Sequence, residues 1–540
     1  MINTNARSHQ NLADFFAECV AKFSDQVAFT CLGHNLTYGQ LDDYAQRLAV
    51  FFQQHWGLRP GDKLAIQLPN LLQYPIAVLA AMKAGLVVVN TNPMYTRREM
   101  AHQFSDAGVR AVVVLADFAD KLAGVHSDTG IEHVLVTEVA DLHPAPRRWL
   151  INGVLRLKRL GRRHPRVSGV VSFPEALARG SGGTLEVPSR GSEDVALLQY
   201  TGGTTGVAKG AMLSHGNLLS NIQQVEDALG SALHEGRETM IAPLPVYHIF
   251  AFMLCMLLGI GIGARVVLIP DPRKLNRFVR SLRGVPFTFF AGLNTLFNHL
   301  CRNRHFRALD FSQLRITVSG GMALTHDTAE RWEEVTGCKV IEGYGLTEAS
   351  PVVAINPVDR PKLGTVGKLL PDTDLRLLDG TGEEVPQGKP GELWVRGPQV
   401  MLGYWNRPDE TREMLDEQGW LHTGDVAVVD DEGYLSIVDR IKDMIVVSGF
   451  NVYPNELENE ISRHPDIVEC AAVGVPDPDS VEAVKLFVVS SNPALTAEDV
   501  QDFARQKLTG YKVPRQVEFV KELPKSNVGK VLRRALRDQG

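Results

Sequence analysis

The sequence predicts an α/β protein, with a large N-terminal body of layered α/β subdomains, a β-rich subdomain at its end, and a small α+β C-terminal domain. Three observations predict it. The 540 residues exceed what one hydrophobic core supports, so two or more domains are expected. From about residue 27, short apolar strand-like runs alternate with longer helical ones, the pattern of mainly parallel sheets covered by helices. Over about residues 365–440 this gives way to short runs punctuated by turn dipeptides, and the alternation then resumes.

Taken in order, Lys63 to Leu68 predicts a strand and Tyr74 to Ala84 a helix, followed by buried strands at Leu86 to Asn90 and Val109 to Leu115. The apolar stretch Phe250 to Ile269 contains Gly259, Gly261, Gly263 and Arg265, and Pro270 closes it. Charge at membrane depth is costly, so a buried strand–helix pair is predicted there rather than a span. Asp374 to Leu378, Glu392 to Arg396, Val426 to Val429 and Tyr434 to Val438 predict hairpins, with Asp379-Gly380 and Glu432-Gly433 as turns. The last unit has strands at Met444 to Ser448, Ala471 to Val475, Ala483 to Val489 and Val517 to Phe519, and helices from Pro454 and Thr496. A boundary near residue 441 divides 1–440 from 441–540, a last unit of ordinary small-domain size.

Apolar residues make up 44% and charged residues 22%, the balance of a folded globular chain. A net charge of −6 and a pI near 6.3 disfavour a globally basic nucleic-acid binder, and no nucleic-acid partner is expected. Cys19, Cys31, Cys255, Cys301, Cys338 and Cys470 are scattered, with no C-x-x-C pair. That argues against a zinc site and a disulfide framework and for a reducing cytoplasm. Met1 to Gln10 lacks the apolar core of a secretion signal.

The strongest local signal is Tyr200-Thr201-Gly202-Gly203-Thr204-Thr205-Gly206-Val207-Ala208-Lys209-Gly210, after the strand-like Val195 to Leu198. Glycines let backbone N–H groups approach an anion, threonine hydroxyls add donors, and Lys209 adds charge. The loop suits a polyphosphate. Lys209 is followed by Gly210, so this is not a Walker A motif.

This run resembles the phosphate loop of the acyl-adenylate-forming superfamily, which includes acyl-CoA synthetases, peptide-synthetase adenylation domains and firefly luciferase. The resemblance covers nearly the whole chain. Leu36-Thr37-Tyr38, Leu68-Pro69-Asn70 to Ala84-Gly85, and Asn90-Thr91-Asn92-Pro93 precede the loop. Pro245-Val246-Tyr247-His248, Gly343-Tyr344-Gly345-Leu346-Thr347-Glu348, Gly391-Glu392-Leu393 and Gly403-Tyr404-Trp405 follow in family order. Trp420 to Asp425, Asp439 to Asp443 and Lys525 to Lys530 complete the set. Tyr247 to Phe250 and Gly292 to Asn298 look like the bacterial long-chain-fatty-acid–CoA ligase branch. One departure is Val481, where glycine is usual.

The resemblance implies ATP-dependent activation of a fatty acid, with ATP and coenzyme A as co-substrates and Mg²⁺ as cofactor. It assigns Thr201, Gly202, Gly203, Thr204, Thr205, Gly206 and Lys209 to the triphosphate. Thr347 is similar to the α-phosphate ligand, and Glu348 looks like the Mg²⁺ ligand, a task suited to a hard carboxylate oxygen. Tyr344 and Gly345 resemble residues flanking adenine and acyl group. Asp425 and Arg440 would meet the ribose, and Lys530 would reach the carboxylate and α-phosphate. His248 is read as a gate to an acyl tunnel, with a general base as the other reading. Lys442 matches a hinge about which a mobile C-terminal domain turns to bring Gly449 to the coenzyme A path. Tunnel candidates lie on Phe250 to Leu258 and Gly292 to Leu300, where core packing explains the same residues equally well.

Arg147 to Arg166 carries eight basic residues and no acidic one, with Trp149, Leu150, Ile151, Val154, Leu155 and Leu157 interleaved. Two readings stand: an interfacial helix meeting anionic lipid on the inner face of the membrane, and a solvated basic insertion. A homodimer is also admitted. The alternative functions are a medium-chain or aryl acid–CoA ligase and an adenylation enzyme that loads a carrier protein. A non-enzymatic lipid binder would not need the phosphate loop, Glu348, Asp425 and Lys530 together.

Overall fold

The computed structural model describes residues 6–122, 125, 129–159, 169–201, 208–448, 450–477, 480–525 and 531–538. Two large sheets carry most of the chain. One has seven strands in the order Val170–Ser172, His133–Thr137, Val109–Leu115, Lys63–Gln67, Val87–Asn90, Val195–Thr201, Lys209–Ser214. Its neighbours are parallel except the last pair. The other has nine strands. Its parallel centre runs Val27–Cys31, Arg265–Leu268, Thr239–Ala242, Phe289–Gly292, Ile316–Ser319, Val340–Gly345. Antiparallel strands finish it, His34–Thr37 on one side and Val352–Ile355 and Lys368–Leu369 on the other.

The inner strands are near-continuous apolar runs because helices cover both faces. Helix Gln73–Lys83 shows the depth of that cover: Gln73 to Met82 are all buried, in a core shared with strands of both large sheets. Helix Tyr38–Val50 starts where Thr37 and Gln40 form a capping box, which satisfies N–H groups left open at a helix start. The Tyr38 hydroxyl donates to the carbonyls of Gly259 and Ala264, at 3.2 and 2.9 Å. Phe250 to Ile269 folds as buried helical turns, including a π-type stretch Phe252–Leu258, and then the strand Arg265–Leu268. Among the described residues no helix is long and apolar enough to cross a membrane.

The segment after residue 365 forms the expected antiparallel sheet, ordered Asp374–Leu378, Gly391–Arg396, Leu421–Val429, Leu435–Arg440. The third strand starts five residues before the predicted Val426, so the polar run His422-Thr423-Gly424-Asp425 lies within it. The C-terminal sheet runs Phe450–Val452, Ile445–Val447, Val481–Ser490, Ile467–Asp477, with Gln516–Phe519 parallel to Val481–Ser490. Helices Pro454–Ile461 and Ala497–Lys507 share a core with it around Ile445, Leu457 and Val500. Val481 opens a strand and pairs with Val447 and Asp477. A β-branched residue suits that extended backbone, so glycine is not required there.

Candidate active site

The Thr/Gly loop joins the antiparallel strands Val195–Thr201 and Lys209–Ser214, with Thr201 opposite Lys209. Gly202, Gly203, Thr204, Thr205 and Gly206 lie outside the described residues. The loop's two ends are held firmly. The Tyr200 hydroxyl donates to Asp106 Oδ2 at 2.6 Å, and Arg407 donates to Asp106 Oδ1 at 2.7 Å. Burial, and then the Asp106 carboxylate, push the Tyr200 phenol well up. On the far side, Trp405 N–H donates to the Gly210 carbonyl at 2.8 Å. A Cβ on Gly210 would meet the Tyr200 ring at 2.9 Å, so glycine permits this close pass. The Lys209 ammonium lies 5.4 Å from the centre of the Tyr404 ring and 3.9 Å from Glu410 Oε1.

Tyr404 leads from the loop to Glu348. Its hydroxyl donates to Glu348 Oε1 at 2.6 Å, and Met401 N–H donates to the Glu348 carbonyl at 2.8 Å. Glu348 is buried in the short 3₁₀ turn Thr347–Ala349. That turn follows strand Val340–Gly345 and closes at Ser350, whose backbone is left-handed (φ 69°). A Cβ on Gly345 would stand 2.0 Å from the Pro351 carbonyl oxygen, so only glycine fits. On the strand that leads into this turn, the buried Glu342 accepts from Leu324 N–H at 3.3 Å. Burial pushes its carboxyl up to about 8.

From the same strand, the Tyr344 hydroxyl donates to Asp425 Oδ2 at 2.5 Å. Arg440 Nε lies 3.0 Å from Asp425 Oδ1, because strand register sets Asp425 opposite Arg440. Asp425 is only 3% exposed, and a buried carboxylate needs such donors and a counter-charge. Burial raises the Tyr344 phenol far above its ordinary range, with Asp425 adding to it. Two sets of contacts, Lys209–Tyr404–Glu348 and Tyr344–Asp425–Arg440, are thus joined by the short segment from Tyr344 to Glu348.

His248 is half-buried at the N-cap of the helical turn Ile249–Ala251, and its Nδ1 accepts from Phe250 N–H at 3.4 Å. Buried amides hold the turn before it. Asn70 donates to the carbonyls of Ala242 and Leu244 and accepts from Val246 N–H, all within 3.0 Å. The Tyr74 hydroxyl bonds Asn90 Oδ1 and the Val246 carbonyl at 2.7 and 3.0 Å. This is a structural reason for the Asn70 and Asn90 motifs. Beside the turn, Leu244, Ala251 and Leu293 form a small apolar cluster with Phe250, Leu296 and Met322. The tunnel candidates divide: Phe252 to Leu258 belong to the main core, while Phe297 and Leu300 pack around Trp332.

Lys442 is exposed in a turn between the last two sheets, and its carbonyl accepts from Arg537 at 3.1 Å. Gly449 and Lys530 lie outside the described residues. Among the described residues no group of three or more His, Cys, Asp or Glu could hold a metal. A lone buried carboxylate such as Glu348 fits Mg²⁺, which keeps waters and phosphate oxygens as its other ligands.

Sequence reasoning missed Tyr404 and Asp106 as site-building residues. The signal for Tyr404 was its place in Gly403-Tyr404-Trp405; Asp106 lies in no motif.

Residues 16–405 match the family described as AMP-binding enzyme, and residues 456–530 match the AMP-binding enzyme C-terminal domain. The chain belongs to the AMP-binding enzyme family. This member is 49% identical over 537 residues to a long-chain-fatty-acid–CoA ligase of Escherichia coli O6:H1, an alignment covering 99% of this chain and 95% of that protein. Its fold is similar to ATP-bound MatB from Rhodopseudomonas palustris, with a TM-score of 0.84 and 30% identity, covering 98% of this chain and 99% of that one. It is also similar to the anthranilate CoA ligase AuaEII in complex with anthranoyl-AMP, with a TM-score of 0.87 and 25% identity over 98% of this chain and 97% of that one. The AMP-binding enzyme shares with these adenylate-forming ligases a mixed α/β fold of large body and small C-terminal domain.

Proposed function

We propose that this enzyme converts a long-chain fatty acid to its acyl-CoA through an acyl-adenylate. The carboxylate oxygen attacks the α-phosphorus of ATP and pyrophosphate leaves. The coenzyme A thiol then attacks the acyl carbonyl, gives up its proton, and AMP leaves. Such a reaction needs charge neutralisation and in-line positioning more than proton transfer. The observation that carries the reading is the pair of contact sets, Lys209–Tyr404–Glu348 and Tyr344–Asp425–Arg440, held at the two ends of the segment Tyr344 to Glu348. It brings a cation and a carboxylate to one end of that segment and a second carboxylate, paired with a guanidinium, to the other.

In this reading Thr201 to Gly206 and Lys209 bind the triphosphate, Thr347 the α-phosphate, and Asp425 with Arg440 the ribose. Tyr344 and Gly345 border adenine and acyl group. Glu348 would hold Mg²⁺, which when bound neutralises phosphate charge. Lys530 bridges carboxylate and α-phosphate. His248 gates the acyl side, and the apolar cluster of Leu244, Phe250, Leu293 and Met322 suits an aliphatic chain. Residues 441–540 form a mobile domain that turns about Lys442 and brings Gly449 to the coenzyme A path. The separate C-terminal core and the exposed turn at Lys442 support this division. A cytoplasmic enzyme touching the inner membrane face, and a homodimer, complete the proposal.

The test is ATP–pyrophosphate exchange without coenzyme A. Exchange that depends on palmitate or oleate is expected; its absence with every acid would reject the adenylate.

A further inference from the structure

Resting on the reading that the substrate is a membrane-partitioning fatty acid, we propose that helix Arg147–Arg159 docks the enzyme on an anionic lipid bilayer. Trp149, Leu150, Val154 and Leu157 are the side chains that enter the headgroup–acyl boundary.

A surface helix ordinarily turns its apolar stripe to the core. This one turns it outward. Trp149, Leu150, Val154 and Leu157 are 66%, 70%, 45% and 65% exposed. At 3.6 residues per turn they fall on one arc of about 140°. Arg156 borders one edge of that arc and Arg147 the other.

The opposite side is fastened to the protein, so the outward orientation is built in. Buried Asn152 accepts from Ala140 N–H at 3.0 Å and donates to Asp141 Oδ1 at 3.1 Å. Asp141 is itself held by Thr137 Oγ1 and Glu138 N–H, at 3.0 and 2.8 Å. Arg156 Nε pairs with Glu138 Oε1 at 2.9 Å. Arg147 donates to the carbonyls of Leu32 and Gly33.

Charge identifies the occupant. The helix contains Arg147, Arg148, Arg156, Lys158 and Arg159 and no acidic residue, on a chain of net charge −6. An exposed apolar stripe edged by cations suits a layer with anionic headgroups over hydrocarbon. A second copy of the chain fits poorly, because a two-fold contact through this face sets one basic run against the other.

The experiment is co-sedimentation of the full-length enzyme with vesicles, either equimolar phosphatidylglycerol and phosphatidylcholine or phosphatidylcholine alone. It compares wild type, Trp149→Ala, and a triple variant Leu150→Glu/Val154→Glu/Leu157→Glu. Wild type should bind the anionic vesicles, and added salt should weaken binding. The triple variant should bind at least about tenfold more weakly, and Trp149→Ala should fall between. AMP release on detergent-dispersed acid should be unchanged. Equal binding by wild type and triple variant, or equal binding to both vesicle types, overturns the proposal. So does a wild-type dimer that the triple variant renders monomeric, which would make a second copy the occupant. Wild type that binds vesicles yet releases no AMP from any dispersed acid counts against the ligase reading instead, and leaves the docking face standing.

Discussion

Tyr404→Phe removes a single hydroxyl from the centre of the site. The ring stays, and with it the packing against the core and the 5.4 Å approach of Lys209. What is lost is the 2.6 Å bond to Glu348 Oε1. A hydrogen bond to a charged group is worth about 1.5–3 kcal/mol. If the bond fixes Glu348 in its reacting position, that figure becomes a loss of about 10- to 150-fold in kcat/KM for ATP. The Mg²⁺ concentration giving half-maximal rate should rise with it, because a carboxylate released from its donor is less well aimed. Steady-state AMP formation over a Mg²⁺ series measures both, and circular dichroism checks the fold. Wild-type kcat/KM together with a wild-type Mg²⁺ requirement would refute the positioning role.

Three further outcomes are expected. Asp425→Asn removes the charge facing Arg440 and weakens the acceptor for Tyr344; kcat/KM for ATP should fall about 10- to 100-fold, and an unchanged value would remove Asp425 from the nucleotide site. Lys442→Pro should leave pyrophosphate exchange near wild type and slow acyl transfer to coenzyme A, measured by single turnover; two intact half-reactions would exclude the hinge. Glu342 stays protonated in the folded protein at pH values where the unfolded chain has released the proton. Its contribution to stability is therefore full below the ordinary value of 4.5 and is lost as pH rises through about 8. Glu342→Gln should flatten the decline of Tm over that window, and an unaltered slope would show that burial does not hold the proton.

The large sheets were legible because burial on both faces leaves unmistakable apolar runs: Val109–Leu115 was located to the residue. Leu421–Val429 was shortened because its first half, His422-Thr423-Gly424-Asp425, is polar. The residues of the candidate site were named through motif order, whereas the contacts among them were not legible. Tyr404 meets Glu348 across 56 residues, and Asp106 meets Arg407 across 301, separations at which local pattern carries no information. The helix at Arg147–Arg159 shows a different limit. Periodicity reveals that a stripe exists, but its direction depends on tertiary contacts such as Asn152 with Asp141, which alone show that this stripe faces solvent.

The central claim is tested most directly by coenzyme A-dependent AMP release from ATP and Mg²⁺, over acids from acetate to oleate with benzoates included. The account predicts a maximum at long chains, with acyl-CoA formed in equal amount. A maximum with short or aryl acids would contradict the fatty-acid assignment, and no AMP with any acid would contradict the catalytic account as a whole.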